Sequence, residues 1–187
     1  MIGTCAAHIS CNLMVTRQIG RIIIELPLPG KCRSILNYSF IYPYISYCTL
    51  TWGSNYQTKL KPIHILQKRA VRAILFADNR TPSKPLFSKL NILTIYEITR
   101  IQQGEFMYRC ITNLLPEDIF DDYINPISHC YNTRFKANKK LYIHKINTNY
   151  GKFDRKYSAA KVWNDIPLVI RNSSSLSIFK KEFKKYM

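Results

Sequence analysis

The sequence predicts a mainly α chain: a helical bundle over residues 1–125, followed by a small, basic, α-rich subdomain over 126–187 with room for one short strand or hairpin. Three observations carry this. Between residues 58 and 77, Leu60, Ile63, Ala70, Val71 and Ile74 recur at three- and four-residue steps, with Leu66 at the margin of the stripe; that is the period of a helix with one buried face. Thr94-Ile95-Tyr96-Glu97 places a hydroxyl three residues before a carboxylate, a capping box that opens a second long helix. From residue 134 onward, 14 Lys/Arg face only 3 Asp/Glu, so the C-terminal part carries most of the field.

Residues 1–16 are ambiguous, with room for a short helix from Ile9. Residues 17–26 hold the apolar run Ile22-Ile23-Ile24, and Pro27 and Pro29-Gly30 break the chain after it. Residues 31–42 read as a helix with little polar face. Pro43 bends it or starts a second helix at the favoured first-turn position, which continues through 44–52 until Gly53-Ser54-Asn55 stops it. On the helix at 58–77, Lys61, Lys68 and Arg72 share the face opposite the apolar stripe, flanked by Lys59 and Arg69. A loop at 78–82 and a short helix at 85–90 lead to the capping box. The helix it opens runs to about Asn113, mildly weakened by Gly104, with Pro116 beyond its end. Residues 117–123 suit one more short helix and 141–146 a short strand. Residues 155–163 read as helix, ended by Asn164-Asp165-Ile166-Pro167. Ser173-Ser174-Ser175 is a loop that offers a serine cap to the last helix, 176–186, which sets Leu176, Phe179, Phe183 and, at its end, Tyr186 against Lys180, Lys181, Lys184 and Lys185.

Composition narrows the function. The chain has 187 residues, 47% of them hydrophobic and 13% aromatic, enough to build a core. A net charge of +17 exceeds what solubility requires and points to a polyanion, nucleic acid or an anionic membrane. No basic segment precedes an apolar run at the N-terminus, so no secretory signal is read. The six cysteines then suit reduced thiols in an intracellular compartment, nuclear or cytoplasmic, with Cys48 and Cys110 in apolar helical settings. No stretch of transmembrane length is free of polar residues; residues 34–52 come nearest but hold Asn37, Ser39, four tyrosines and Pro43.

Catalytic motifs fail on their own chemistry. Phe120-Asp121-Asp122 offers the paired aspartates of a two-metal site, but Ile119 stands where a polymerase motif has an aromatic, and the setting is a short acidic helix. Cys5, His8 and Cys11 are three of the four ligands zinc wants, with no fourth nearby. Adjacent His129 and Cys130 are poorly placed to share a metal. His64 suits a partly buried or surface histidine rather than a base. No glycine-rich phosphate loop occurs. No catalytic residue, cofactor, metal or small-molecule substrate is assigned. What remains is basic residues interleaved with aromatics: Lys59, Lys61, Lys68, Arg69 and Arg72 on the helix, then Arg134, Lys136, Lys139, Lys140, Lys145, Lys152, Arg155 and Lys156, with Tyr131, Tyr142, Tyr150 and Phe153 among them. Such a surface neutralises phosphates and offers rings to unpaired bases. Phe153, Tyr157 and Trp163 read rather as the core of a small subdomain.

An ordered series of short motifs carries a resemblance: residues 36–48 (LNYSFIYPYISYC) with Trp52-Gly53, then 66–72 (LQKRAVR), 85–93 (PLFSKLNIL), 113–116 (NLLP), 131–134 (YNTR), 149–152 (NYGK), 162–164 (VWN) with Pro167, and Ser175-Leu176 with Phe179-Lys180. In this order the series resembles the C-terminal part of jockey-like reverse transcriptases, the RNA-directed DNA polymerases of non-LTR (LINE-type) retrotransposons. The resemblance implies a thumb-like helical region and the segment beyond it, with the endonuclease and catalytic palm upstream of this chain. It further implies a non-enzymatic fragment that contacts template–primer nucleic acid (RNA, DNA or hybrid duplex), lacking the palm as a packing partner. Ile22-Ile23-Ile24-Glu25 departs from the basic residues such enzymes tend to have there. A decayed reading frame without selected function, and a basic helical adaptor that binds protein through residues 34–52, stand as alternatives.

Overall fold

The computed structural model describes residues 37–116, 140–143 and 145–187, with the isolated positions Met14, Gln18, Pro29, Cys32 and Ile35. The expectations for residues 1–13, for Phe120-Asp121-Asp122 and for His129-Cys130 lie outside the described residues. The described chain is mainly helical, as its periodicities require. It divides into two compact units, Met1–Thr99 and Arg100–Met187.

The first continuous described element of this unit is a π-helical turn, Asn37–Ile41, that runs directly into α1, Tyr42–Ser46, with Pro43 in its first turn. Proline is tolerated in a helix's first turn. The apolar run does not continue as one helix to Trp52. Tyr47 is extended and Cys48 is left-handed (φ 51°), so a new short helix, α2 (Thr49–Trp52), starts after the break. The Trp52 indole donates to the Tyr47 carbonyl at 2.8 Å, which satisfies the backbone where the helix is interrupted. Cys48 is consequently exposed rather than buried.

Helix α3, Gln57–Leu75, follows. Pro62 lies inside it, on the exposed side, where the carbonyl it leaves unpaired is open to water. The apolar stripe holds the helix in place: Leu60, Ile63, Ala70, Val71 and Ile74 are all buried, against Ile41, Ile45, Trp52, Phe87 and Ile95. Each buried Leu, Ile or Val among them contributes roughly 1.5–3 kcal/mol of burial. At its end Phe76 takes the left-handed cap (φ 52°), and the Ala77 N–H reaches the Arg72 carbonyl at 3.0 Å. Helix α4, Ser83–Leu90, ends on left-handed Asn91, a residue suited to that cap.

Helix α5, Ile95–Ile111, starts at the capping box. Thr94 N–H donates to Glu97 Oε2 at 2.7 Å, and Glu97 N–H to Thr94 Oγ at 3.4 Å. A third interaction at this helix start has no signature in the local pattern. Gln67 is 4% exposed; its Oε1 accepts from the Ile95 N–H at 2.9 Å and its Nε2 donates to the Leu93 carbonyl at 3.3 Å. One side chain of α3 thus caps α5. Gly53 serves the same region. A Cβ there would lie 2.5 Å from both the Thr49 carbonyl oxygen and Thr99 Oγ1, so only glycine permits this approach.

In the second unit, Met107 and Tyr108 of α5 meet α6 (Arg155–Asp165), α7 (Leu168–Arg171) and α8 (Leu176–Tyr186). Phe179 stacks on Tyr108 (4.7 Å between ring centroids) and on Trp163 (6.0 Å). Trp163 is therefore core, while Phe153 and Tyr157 are half-buried. A Cβ on Gly104 would lie 2.6 Å from the Phe183 ring, which gives that mid-helix glycine a packing reason. Ser175 caps α8 by accepting from the Ile178 N–H at 3.3 Å.

The short strand expected at 141–146 does not form; among the described residues this segment is irregular. Its partner is a side chain. Leu141 N–H donates to Asn164 Oδ1 and Asn164 Nδ2 donates to the Leu141 carbonyl, both at 2.8 Å. One amide supplies the pairing a neighbouring strand would otherwise give. No helix among the described residues is long and apolar enough to cross a membrane.

Candidate nucleic-acid interface

Helix α3 carries five basic residues and no acid in 19 positions. Its roll is fixed by the buried stripe, so the basic side chains have fixed bearings. At about 100° per residue, Lys61, Lys68 and Arg72 fall within roughly 40° of one another, and Arg69 lies beside them, with Ile65 in their midst. Lys61 and Arg69 are exposed; Lys68 and Arg72 are half-buried. The row from Lys61 to Arg72 is about 16 Å long. Lys59 is exposed too but stands roughly 160° round the helix from Lys61, so it does not share this face.

Arg72 has a structural engagement. Its Nε donates to the Thr81 carbonyl at 3.1 Å, tying the end of α3 to the loop before α4. That loop also brings exposed Arg80 next to the bond, a residue no helical period could assign. His64 sits half-buried on α3 between Phe87 (6.1 Å) and Tyr96 (5.1 Å). Burial, then the charge of Lys68, lowers its pKa below the ordinary 6.5; the neighbouring Gln67 side chain and the charge of Glu97 oppose this. Its ring serves as an aromatic spacer between Phe87 and Tyr96.

In the second unit Lys140, Lys145, Lys152 and Lys156 are exposed and Arg155 is half-buried. Lys152 Nζ donates to Asn149 Oδ1 at 3.2 Å. Tyr142 and Tyr150 are 50% and 61% exposed. Arg134, Lys136 and Lys139 lie outside the described residues. Helix α8 adds Lys181, Lys184 and Lys185, all exposed, which the sequence marks only as the polar side of the last helix.

Other chemistry finds little support among the described residues. No group of three or more His, Cys, Asp or Glu there could hold a metal ion. Buried Cys110 has its pKa pushed up to about 11 by desolvation, the opposite of an activated thiol. A cavity of about 10 Å³ between Asn37, Ile45, Gln67 and Val71 is about the size of one water. Compared with family models, curated proteins and solved structures, the chain matches none.

Proposed function

We propose that the chain is a non-catalytic nucleic-acid-binding module that grips phosphate backbones without reading sequence. The observation that carries this is α3: a helix rolled by its core so that Lys61, Lys68 and Arg69 face away from it, with no acid on the helix to neutralise them. Lysine is a point charge on a flexible stem and asks for no particular base. Each phosphate neutralised releases condensed counterions, which makes binding strongly salt-dependent. The exposed Tyr150, set among lysines, adds a surface for unpaired bases.

Within that reading, the resemblance to the thumb and post-thumb region of LINE-type reverse transcriptases supplies the biological setting: a part that lies along a template–primer duplex beside a catalytic palm. The aromatics at 38–47 support this secondarily. Tyr38, Phe40, Tyr44 and Tyr47 are 43–64% exposed, which suits packing on a palm or, for the adaptor alternative, on another protein.

The test is a substitution of Lys61, Lys68 and Arg69 by Gln, leaving Arg72 in place because of its bond to Thr81. Duplex binding is expected to weaken by about tenfold or more, with the salt slope shallower by about 0.9 for each phosphate no longer neutralised. Wild-type affinity and slope in a variant that keeps its helical signal would overturn the proposal for α3.

A further inference from the structure

We infer that α8 is a second phosphate-binding face, carried by Lys181, Lys184 and Lys185. The inference rests on the reading of the chain as a nucleic-acid binder and adds a surface to it. Phe179 and Phe183 are fully buried, and they lock the roll of α8. The lysines are thereby held on the outer arc, 181 and 185 one turn apart and 184 alongside. A fourth, Lys180, is already neutralised by Glu105 at 2.9 Å. No ion pair among the described residues engages the other three. Asp165, a further acid of this unit, faces Arg100 at 3.8 Å.

Such a cluster works against its own helix. Like charges at i, i+3 (181 and 184) and at i, i+4 (181 and 185) repel. The negative end of the helix dipole offsets this for Lys184 and Lys185 in the last turn, but less so for Lys181 before it. Glu182, exposed on the same helix three residues before Lys185, offsets part of it, and a polyanion relieves the rest. A row of lysines on the outer arc of a helix suits a row of phosphates better than a single small anion. A membrane fits less well: the apolar face of α8 is occupied by the core, leaving Ile178 and Tyr186 only about half exposed for insertion.

The experiment uses the full chain with Lys181, Lys184 and Lys185 changed to Gln, and separately to Arg. Each is measured by fluorescence anisotropy on a mixed-sequence duplex over a salt series, beside the α3 variant and wild type. Phosphatidylserine-containing vesicles form a parallel arm. The Gln variant is expected to bind about tenfold more weakly with a slope shallower by up to about 2.7, and the Arg variant to bind as wild type does. Wild-type binding by the Gln variant while the α3 variant is weakened overturns the inference and leaves the general reading standing. Loss of vesicle binding with duplex binding intact overturns it in favour of a membrane. Absence of duplex binding by wild type removes the reading and the inference together.

Discussion

Replacing Gln67 with Met isolates the pair of hydrogen bonds that joins α3 to α5. Methionine has nearly the same length and volume, so packing against Ile41 and Val71 is kept while both hydrogen bonds go. The Ile95 N–H, at a residue with no exposed surface, then loses its acceptor at 2.9 Å and the Leu93 carbonyl its donor at 3.3 Å. A buried polar group left unpaired costs about 1–3 kcal/mol. The N–H carries the full penalty, because Ile95 is sealed in the core. Leu93 is only half-buried, so its carbonyl recovers part by meeting water. The sum is about 2–4 kcal/mol. For a unit of this size each kcal/mol moves the midpoint by about 4–8 °C, so thermal unfolding followed by circular dichroism should drop by roughly 10–25 °C. The control is Gln57→Met, exposed at the first residue of the same helix. A Gln67→Met midpoint within about 3 °C of that control would refute the assignment of Gln67 as the cap of α5.

Three further outcomes follow from the same structure. Phe76 is left-handed and 69% exposed, so Phe76→Asn should raise the midpoint by several degrees, the strain relieved being about 1 kcal/mol; an unchanged or lower midpoint counts against strain there. Gly53→Ala forces a Cβ to within 2.5 Å of the Thr49 carbonyl oxygen and should cost about 1–3 kcal/mol, read as a lower denaturant midpoint at constant slope. The folded pKa of His64 lies below the unfolded 6.5, so the unfolded chain binds the extra proton. Its contribution is full above pH 6.5, falls as pH drops below that value, and levels off beneath the folded pKa. Unfolding at pH 7.5 and 5.5 should show this loss in the wild type and a smaller one in His64→Phe; identical losses in the two would discard it.

The helices that are legible in the sequence are those whose reason to form is local. α3 and α8 announce themselves because their buried residues recur every three or four positions, and α5 because Thr94 and Glu97 are three apart. The bearings of Lys61, Lys68 and Arg69 come with α3, since one fixed face determines the others. What stays hidden depends on partners far along the chain. Gln67 reads as one polar residue at the edge of an apolar stripe until residues 26 and 28 positions away close on it. Gly104 reads as a weak point until Phe183 occupies the space a Cβ would take. The alternation at 141–146 mimics a strand because its backbone does need a partner, and only the fold shows that Asn164 supplies it. The break at Tyr47 and Cys48 carries no glycine or proline of its own. The tie from Arg72 to Thr81 is likewise tertiary, and it moves Arg72 from a free cation to a joint.

The most direct test of phosphate gripping is a salt titration of wild-type binding to two duplexes of unrelated sequence. Log affinity should fall linearly with log salt, with a slope of about −2.7 from the three α3 cations alone and steeper with those of α8, and the two duplexes should give the same line. A flat dependence, or a clear preference for one sequence that persists at high salt, would contradict the account.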